Sequence, residues 1–233
     1  MPTRLLTIFA ALVAVIALLA GCSSTSEEST KDLPDGATLL QQSSETTEKQ
    51  TSVHLKLQVQ GTIEKLPIEQ LEADLTNAPA VAAQGKANLM FMGQRLEGVE
   101  FVVADGNLYA AMSAGSGFQD FGPAAEIFDA SAVLNPETGL ANALRNYADP
   151  KAESRETING VESVRVNGNV SADAVNKIAP QIEATGPVPG SAWIEEGGDH
   201  KLQQVSLQID ADTSLTMTLS EWGKPVTVTK PAA

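Results

Sequence analysis

The chain has little with which to do covalent, metal or nucleic-acid chemistry. Its 233 residues include one cysteine, two histidines, two Trp, two Tyr and six Phe. A single thiol, Cys22, excludes an internal disulfide and any site built from several thiolates. Positive charge is also scarce: 15 Lys and Arg stand against 29 Asp and Glu, a net charge of −14. Such a surface repels nucleic acid and anionic headgroups, so neither a DNA partner nor a broad electrostatic membrane patch is expected. A sheet protein of this size usually fills its core with more large rings. The shortage fits a hollow interior and a core of small side chains equally well.

What is present begins with Arg4 and an apolar run from Leu5 to Leu19, followed by Ala20-Gly21-Cys22. A positive start, a short apolar core and small residues before a cut site make a secretory signal, too short for an ordinary spanning helix. With Cys22 at the cut, the pattern is that of a bacterial lipoprotein whose cysteine takes diacylglycerol. The expected division is a signal peptide over 1–21, a lipidated Cys22 with a Ser-, Thr- and acid-rich tether over 22–36, and one domain over 37–233.

After a helix capped by Asp35 or Thr38 and running to about Gln50, expected at the surface with one end buried, the period becomes two. Val53, Leu55, Leu57 and Val59 alternate with polar residues, as do Leu71, Ala73 and Leu75. Ala87, Leu89 and Phe91 form a third strand whose other side carries Met90 and Met92; Val99, Phe101 and Val103 form a fourth. Asp105-Gly106-Asn107 turns the chain into a fifth, Leu108 to Met112. Phe118 to Asn146 differs in kind. Pro123, Asn135-Pro136 and Gly139 punctuate short apolar segments, which predict two or three short helices. Strands resume near Ala152, with a hairpin at Asn159-Gly160 and one more helix opened by Ser171. Further strands follow at 192–194, 205–209 and 215–219, and Trp222 and Val226 to Val228 finish the chain. About ten strands and four or five short helices predict an α+β fold, a large curved antiparallel sheet with helices across one face.

No constellation supports catalysis. His54 falls on a polar strand face and His200 in a Gly-Gly-Asp-His turn, both surface positions. Ser116 lies in Ala-Gly-Ser-Gly-Phe, not in the Gly-x-Ser-x-Gly elbow of hydrolases. Asp120, Glu126 and Asp129 precede short helices, where capping accounts for them. No metal site and no cofactor is expected. The remaining signal is apolar: Leu89, Phe91, Val99, Phe101 and Val103 form inward rows on adjacent strands, with Met90, Met92 and Met112 nearby. Period alone does not separate a packed core from a lipid-lining wall. A wall has a purpose, because exposing a palmitoyl-sized chain to water costs on the order of 12 kcal/mol at ~0.8 kcal/mol per methylene.

Several strings carry a resemblance. Val102 to Gly106 (VVADG), Asp120 to Ala125 (DFGPAA), Val133 to Asn142 (VLNPETGLAN), Thr157 to Gly160 (TING) and Ala192-Trp193-Ile194 are similar to the mycobacterial LppX/LprA/LprF/LprG lipoproteins, most of all the LprG branch. The resemblance spans nearly the whole mature chain. It implies a half-barrel sheet whose concave face and helices enclose an apolar pocket. It also implies binding of triacylated lipids and glycolipids: triacylglycerol, phosphatidylinositol mannosides, lipomannan and lipoarabinomannan. The family role is delivery from the plasma membrane toward the outer envelope, alongside a major-facilitator-type exporter. By alignment, the strand entry after Gln84-Gly85-Lys86 lies at the pocket mouth, making Ala87 the portal; LprG carries valine there. The loop Thr62 to Pro67 is more polar than its family counterpart.

The expected pocket is therefore Ala87, Leu89, Phe91, Val99, Phe101 and Val103, under helices bearing Ile127, Leu134 and Leu140. The expected protein is a monomeric, non-enzymatic carrier anchored through Cys22 on the outer face of the plasma membrane, some of it released to the envelope. The rival expectations are an envelope-assembly adaptor with a filled core and a hydrolase of envelope lipid.

Overall fold

The computed structural model describes residues 32–113, 115–127 and 130–232, apart from the side chains of 126, 127, 130 and 131. Cys22 and the signal and tether before Asp32 lie outside the described residues. Eleven strands form one antiparallel sheet: β1 Ser52–Gln60, β2 Ile68–Thr76, β3 Ala82–Phe91, β4 Gln94–Ala104, β5 Asn107–Ala111, β6 Gln119–Pro123, β7 Tyr147–Ile158, β8 Val161–Val170, β9 Val188–Glu195, β10 Leu202–Gln208 and β11 Ser214–Ser220. Their order is β6-β5-β4-β3-β2-β1-β11-β10-β9-β8-β7. Two meanders are thus joined where β1 pairs β11, with Leu55 opposite Leu219 and Leu57 opposite Met217. The sheet is curved and does not close, since β6 and β7 are free edges.

This topology dictates where the helices go. The chain leaves β6 at one edge and must enter β7 at the other, so residues 124–146 cross the concave face. They carry a short helix α2 (Ala124–Ile127), a 3-10 turn (Ala130–Leu134) and α3 (Leu140–Arg145). Helix α1 (Gly36–Glu48) packs on α3, and α4 (Ala172–Ile178) lies beside α3. The main core lies between these helices and the sheet: Leu39, Leu40, Val133 and Leu144 meet Val53, Leu55, Leu75, Val164, Ile194 and Leu219. The convex face is mostly polar. There Trp193 Nε1 donates to Glu156 at 2.7 Å, and the Arg165 guanidinium sits 5.3 Å from the Trp193 ring centre.

Three expectations are corrected. Helix α1 is buried along its length, not at one end, because its inward face is Ser43, Ser44 and Thr47 as well as Leu39 and Leu40. Small hydroxyl residues let α3 approach closely, and Ser44 Oγ donates to the Ala141 carbonyl at 2.8 Å. Gln119–Pro123, expected inside the helical stretch, is an edge strand; β7 begins at Tyr147 and absorbs Pro150, as an edge strand can. After β11 the chain packs back on the sheet. Trp222 Nε1 donates to the Leu202 carbonyl at 2.8 Å, and Val228 covers Val102 and Tyr109 on the convex face.

Where the described chain starts, Arg155 donates to the Asp32 carbonyl at 3.3 Å and to Glu196 at 2.6 Å. That guanidinium holds the Glu196 carboxyl below its ordinary value of 4.5, and Lys56 does the same for Glu72. A folded pKa below the unfolded one stabilises the fold fully above the ordinary carboxylate range, and the gain vanishes as pH falls through the folded value. The unfolding midpoint is therefore expected to be level from about pH 5.5 to 7.5 and to drop below about pH 4.5. Glu196→Gln should make that drop shallower. Thermal melts across pH check this; a midpoint unchanged to about pH 3 would contradict it.

Candidate functional site

The crossing segment covers the concave face unevenly. Its 3-10 turn packs on β2 and β3 near the end where Asn77 Nδ2 donates to the Leu134 carbonyl at 3.3 Å. Toward the other end no helix among the described residues lies over the same strands. There a cleft of about 240 Å³ opens to the outside. Pro67, Ile68 and Leu71 form one wall; Ala87, Leu89, Val99 and Phe101 form the floor; Leu108, Ala110, Met112 and Phe121 form the far side; and Met90, Phe91 and Met92 form the lip. All fourteen lining residues are apolar. The cleft exceeds the ~150 Å³ that admits benzene, yet falls short of the ~300–1,000 Å³ usual for drug-sized ligands.

Backbone irregularities shape it. Ile68 pairs with Leu89 but Gln70 with Asn88, so β2 carries one extra residue; Ala87 pairs with Val99 but Leu89 with Leu96, so β4 does too. Both bulges flank Asn88. Its Nδ2 donates to Gln70 at 3.1 Å and its Oδ1 accepts from the Gly98 N–H at 2.9 Å. Gly98 has φ +65°, which a bulge requires and glycine adopts freely. Beyond Asn88 the strand twists away from simple alternation, and Leu89, Met90, Phe91 and Met92 all reach the cleft. A strict period of two would send half of them to the other face.

Of the nine residues expected to line a pocket, Ala87, Leu89, Phe91, Val99 and Phe101 line this cleft. Val103 and Leu134 do not. Both are packed in the core, at 2% and 5% exposure, because the 3-10 turn bearing Leu134 covers the end of the sheet where Val103 pairs with Ala83. Leu140 lines a different void, and the side chain of Ile127 lies outside the described residues. Ala87 is 6% exposed, on the floor and inward of the exposed lip. The sequence pattern does not assign Met90, Met92, Leu108, Met112 and Phe121 to the pocket, although all five line it. The methionine-rich stretch was a usable signal; the bulges that gather it were not.

The second void, about 30 Å³, lies under α3 and α4 between Leu140, Leu144, Val205, Leu215 and Met217. The Tyr147 hydroxyl is buried without a hydrogen-bond partner among the described residues, and burial pushes its ionisation well above the ordinary phenol range. Tyr147 fits because Gly168 and Gly190, paired across β8 and β9, leave room for its ring: a Cβ on either would come within about 3 Å of it. Strand β1 lies between the two voids, with Leu57 pairing Leu71 on one side and Met217 on the other. The loop between β1 and β2 arches over this end. It buries Ile63 and Leu66, and Lys65 Nζ reaches Glu183 at 2.5 Å.

The residues weighed for catalysis are elsewhere. His54 bridges Asp74 at 2.8 Å and Glu72 at 3.2 Å, His200 meets the Glu195 carbonyl, and Ser116 Oγ donates to Ser113 within a turn. Among the described residues no group of three or more His, Cys, Asp or Glu could hold a metal ion. The cleft itself presents no titratable or nucleophilic group; what its geometry can do is shield hydrocarbon from water.

Comparisons with known proteins agree with this geometry. The family model described as "LppX_LprAFG lipoprotein" matches residues 35–228. The lipoarabinomannan carrier protein LprG of Mycolicibacterium smegmatis is 59% identical over 227 residues, covering 97% of this chain and 96% of its own. The protein of that name from Mycobacterium tuberculosis is 46% identical over 228 residues, covering 98% and 95%. The crystal structure of LprF from Mycobacterium bovis superposes with a TM-score of 0.77 at 29% identity, over 85% of this chain and 97% of that one. LppX of Mycobacterium tuberculosis, with a TM-score of 0.65 and 24% identity over 83% and 97%, shares the fold.

A buried, unpartnered hydroxyl costs ~1–3 kcal/mol. Tyr147→Phe is therefore expected to raise the melting midpoint, by about 2–4 °C for each ~1 kcal/mol released. Calorimetry checks it, and a lowered midpoint would mean that the hydroxyl is satisfied in solution.

Proposed function

The chain belongs to the LppX_LprAFG lipoprotein family, and from that premise we propose that it carries acylated glycolipid without chemically altering it. One observation carries the reading: an open cleft whose fourteen lining side chains are all apolar. Placing hydrocarbon there removes ~0.8 kcal/mol of exposure per methylene. The lipid head, for which the cleft holds no polar partner, stays at the mouth in water. The cargo class is acylated glycolipid of the lipoarabinomannan type, as the names of the relatives suggest, together with phosphatidylinositol mannosides, lipomannan and triacylglycerol.

In this reading Cys22 is the diacylglyceryl anchor and holds a monomer on the outer face of the plasma membrane, where cargo originates and where an exporter of the major-facilitator type would act. Ala87, Leu89, Phe91, Val99 and Phe101 would contact acyl chains. Ala87, which pairs with Leu71 and Val99, is where added bulk would fill the cleft from its floor. The modest volume suits part of one chain; a multiply acylated lipid needs the wall to yield or its tails to run out over the lip.

The test is native mass spectrometry of protein made without residues 1–21 and with Cys22→Ser, extracted from a lipid-rich host. Acyl lipid should accompany the wild-type domain, and Ala87→Trp should cut its occupancy about tenfold, equivalent to ~1.4 kcal/mol. Lipid-free wild-type protein would overturn the proposal.

A further inference from the structure

Three tight hairpins in this sheet turn on two residues with positive φ: Asp105-Gly106 (54°, 79°), Asn159-Gly160 (51°, 81°) and Met92-Gly93 (50°, 76°). Asp-Gly and Asn-Gly are what such a turn favours. Methionine is not, because a side chain without a local hydrogen bond gains nothing that offsets left-handed backbone. Met92 is also 90% exposed. Turn chemistry and burial therefore both argue against an apolar residue there, and a local strain of this kind points to a use.

Its surroundings indicate the use. The described residues expose five large hydrophobic side chains, and four of them, Met90, Phe91, Met92 and Phe121, edge the cleft. Bare apolar surface thus runs unbroken from the floor of the cleft to the tip of the β3–β4 hairpin. From this we infer that the hairpin tip inserts into the acyl region of a lipid bilayer, so that cargo passes between bilayer and cleft without entering water. The inference rests on the carrier reading and adds where the membrane is met.

A bilayer suits this lip better than a protein does. The lip is built from side chains that offer no directional hydrogen bonds, and the neighbouring cation, Arg95, is already paired with Glu69 at 2.8 Å and Glu97 at 3.5 Å. Insertion would therefore be apolar, not electrostatic, as the net charge of −14 also requires. The chain before the described residues is long enough. Asp32 rests on Arg155, and the pairing followed strand by strand leads from Arg155 to about Gln84 of β3, some seven residues or ~23 Å of strand from Phe91. The ten residues from Cys22 to Asp32 can span at most ~33–36 Å. An anchor at Cys22 and an inserted lip can therefore share one membrane.

The test is Met92→Asn, which restores favoured turn chemistry and removes the apolar tip. Delipidated protein with Cys22→Ser is floated with vesicles of phosphatidylcholine carrying a minor fraction of phosphatidylinositol. Wild type should float, with little change on raising salt. Met92→Asn should bind at least about tenfold more weakly while melting at an equal or higher temperature. Wild type that does not float, flotation abolished by salt, flotation unchanged in Met92→Asn, or a tip buried in a second copy would each overturn the inference. Acyl lipid carried by wild-type protein is measured separately. Its absence defeats the carrier reading, and its presence with tip-independent flotation defeats only the membrane contact.

Discussion

An apolar wall that the described residues do not fully cover is the constraint on which this structure turns. The two meanders leave their free edges at β6 and β7, and the connection between those edges has to lie across the concave face. The described part of residues 124–146 seals the end where Val103, Leu134 and Ala83 pack, but not the end where Leu89 and Phe91 reach the surface. On the β7–β11 side α1, α3 and α4 lie over the sheet, with a small void beneath α3 and α4. The hydrophobic effect that closes one half of the molecule is thereby left partly unsatisfied in the other, and hydrocarbon from elsewhere can complete it.

The remaining features follow from serving that open half. Bulges on both sides of Asn88 bring four successive apolar residues to one rim, a concentration that an unbroken strand would not allow. The convex face is dressed with ion pairs and hydrogen bonds among His54, Glu72, Glu156 and Arg165, so it can meet water while the inner face meets lipid. The strap between β1 and β2 stands over the same end, held to Glu183 by an exposed pair worth little on its own. A weak latch there suits a wall that must yield to admit more than about 240 Å³ of guest.

Much of this was legible in the residues, and what was not has identifiable physical causes. Period-two alternation marked the strands around Val53, Leu71, Val99 and Leu215, and Asp105-Gly106 and Asn159-Gly160 marked their turns. Sequence period could not decide whether Phe101 faces protein or space, because packed core and open wall present the same side chains; only the path of residues 124–146 decides it. For that reason the pattern groups Val103 and Leu134 with the pocket. Helix α1 reads as a surface helix because half of its buried face is Ser43, Ser44 and Thr47, whose small size matters more there than their polarity. Met92 carried its information in the conflict between residue type and turn geometry, which appears only once φ is known.

The central claim is that acyl chain occupies the space left open between β2 and β5. Intermolecular nuclear Overhauser effects between a carbon-13-labelled palmitoyl chain and protein labelled at methionine methyl groups and phenylalanine rings test it most directly. Contacts from chain methylenes to Phe101, Met112 and Met90, with none to Trp193 on the convex face, are the predicted result. A bound lipid whose chain touches none of these residues would contradict the account.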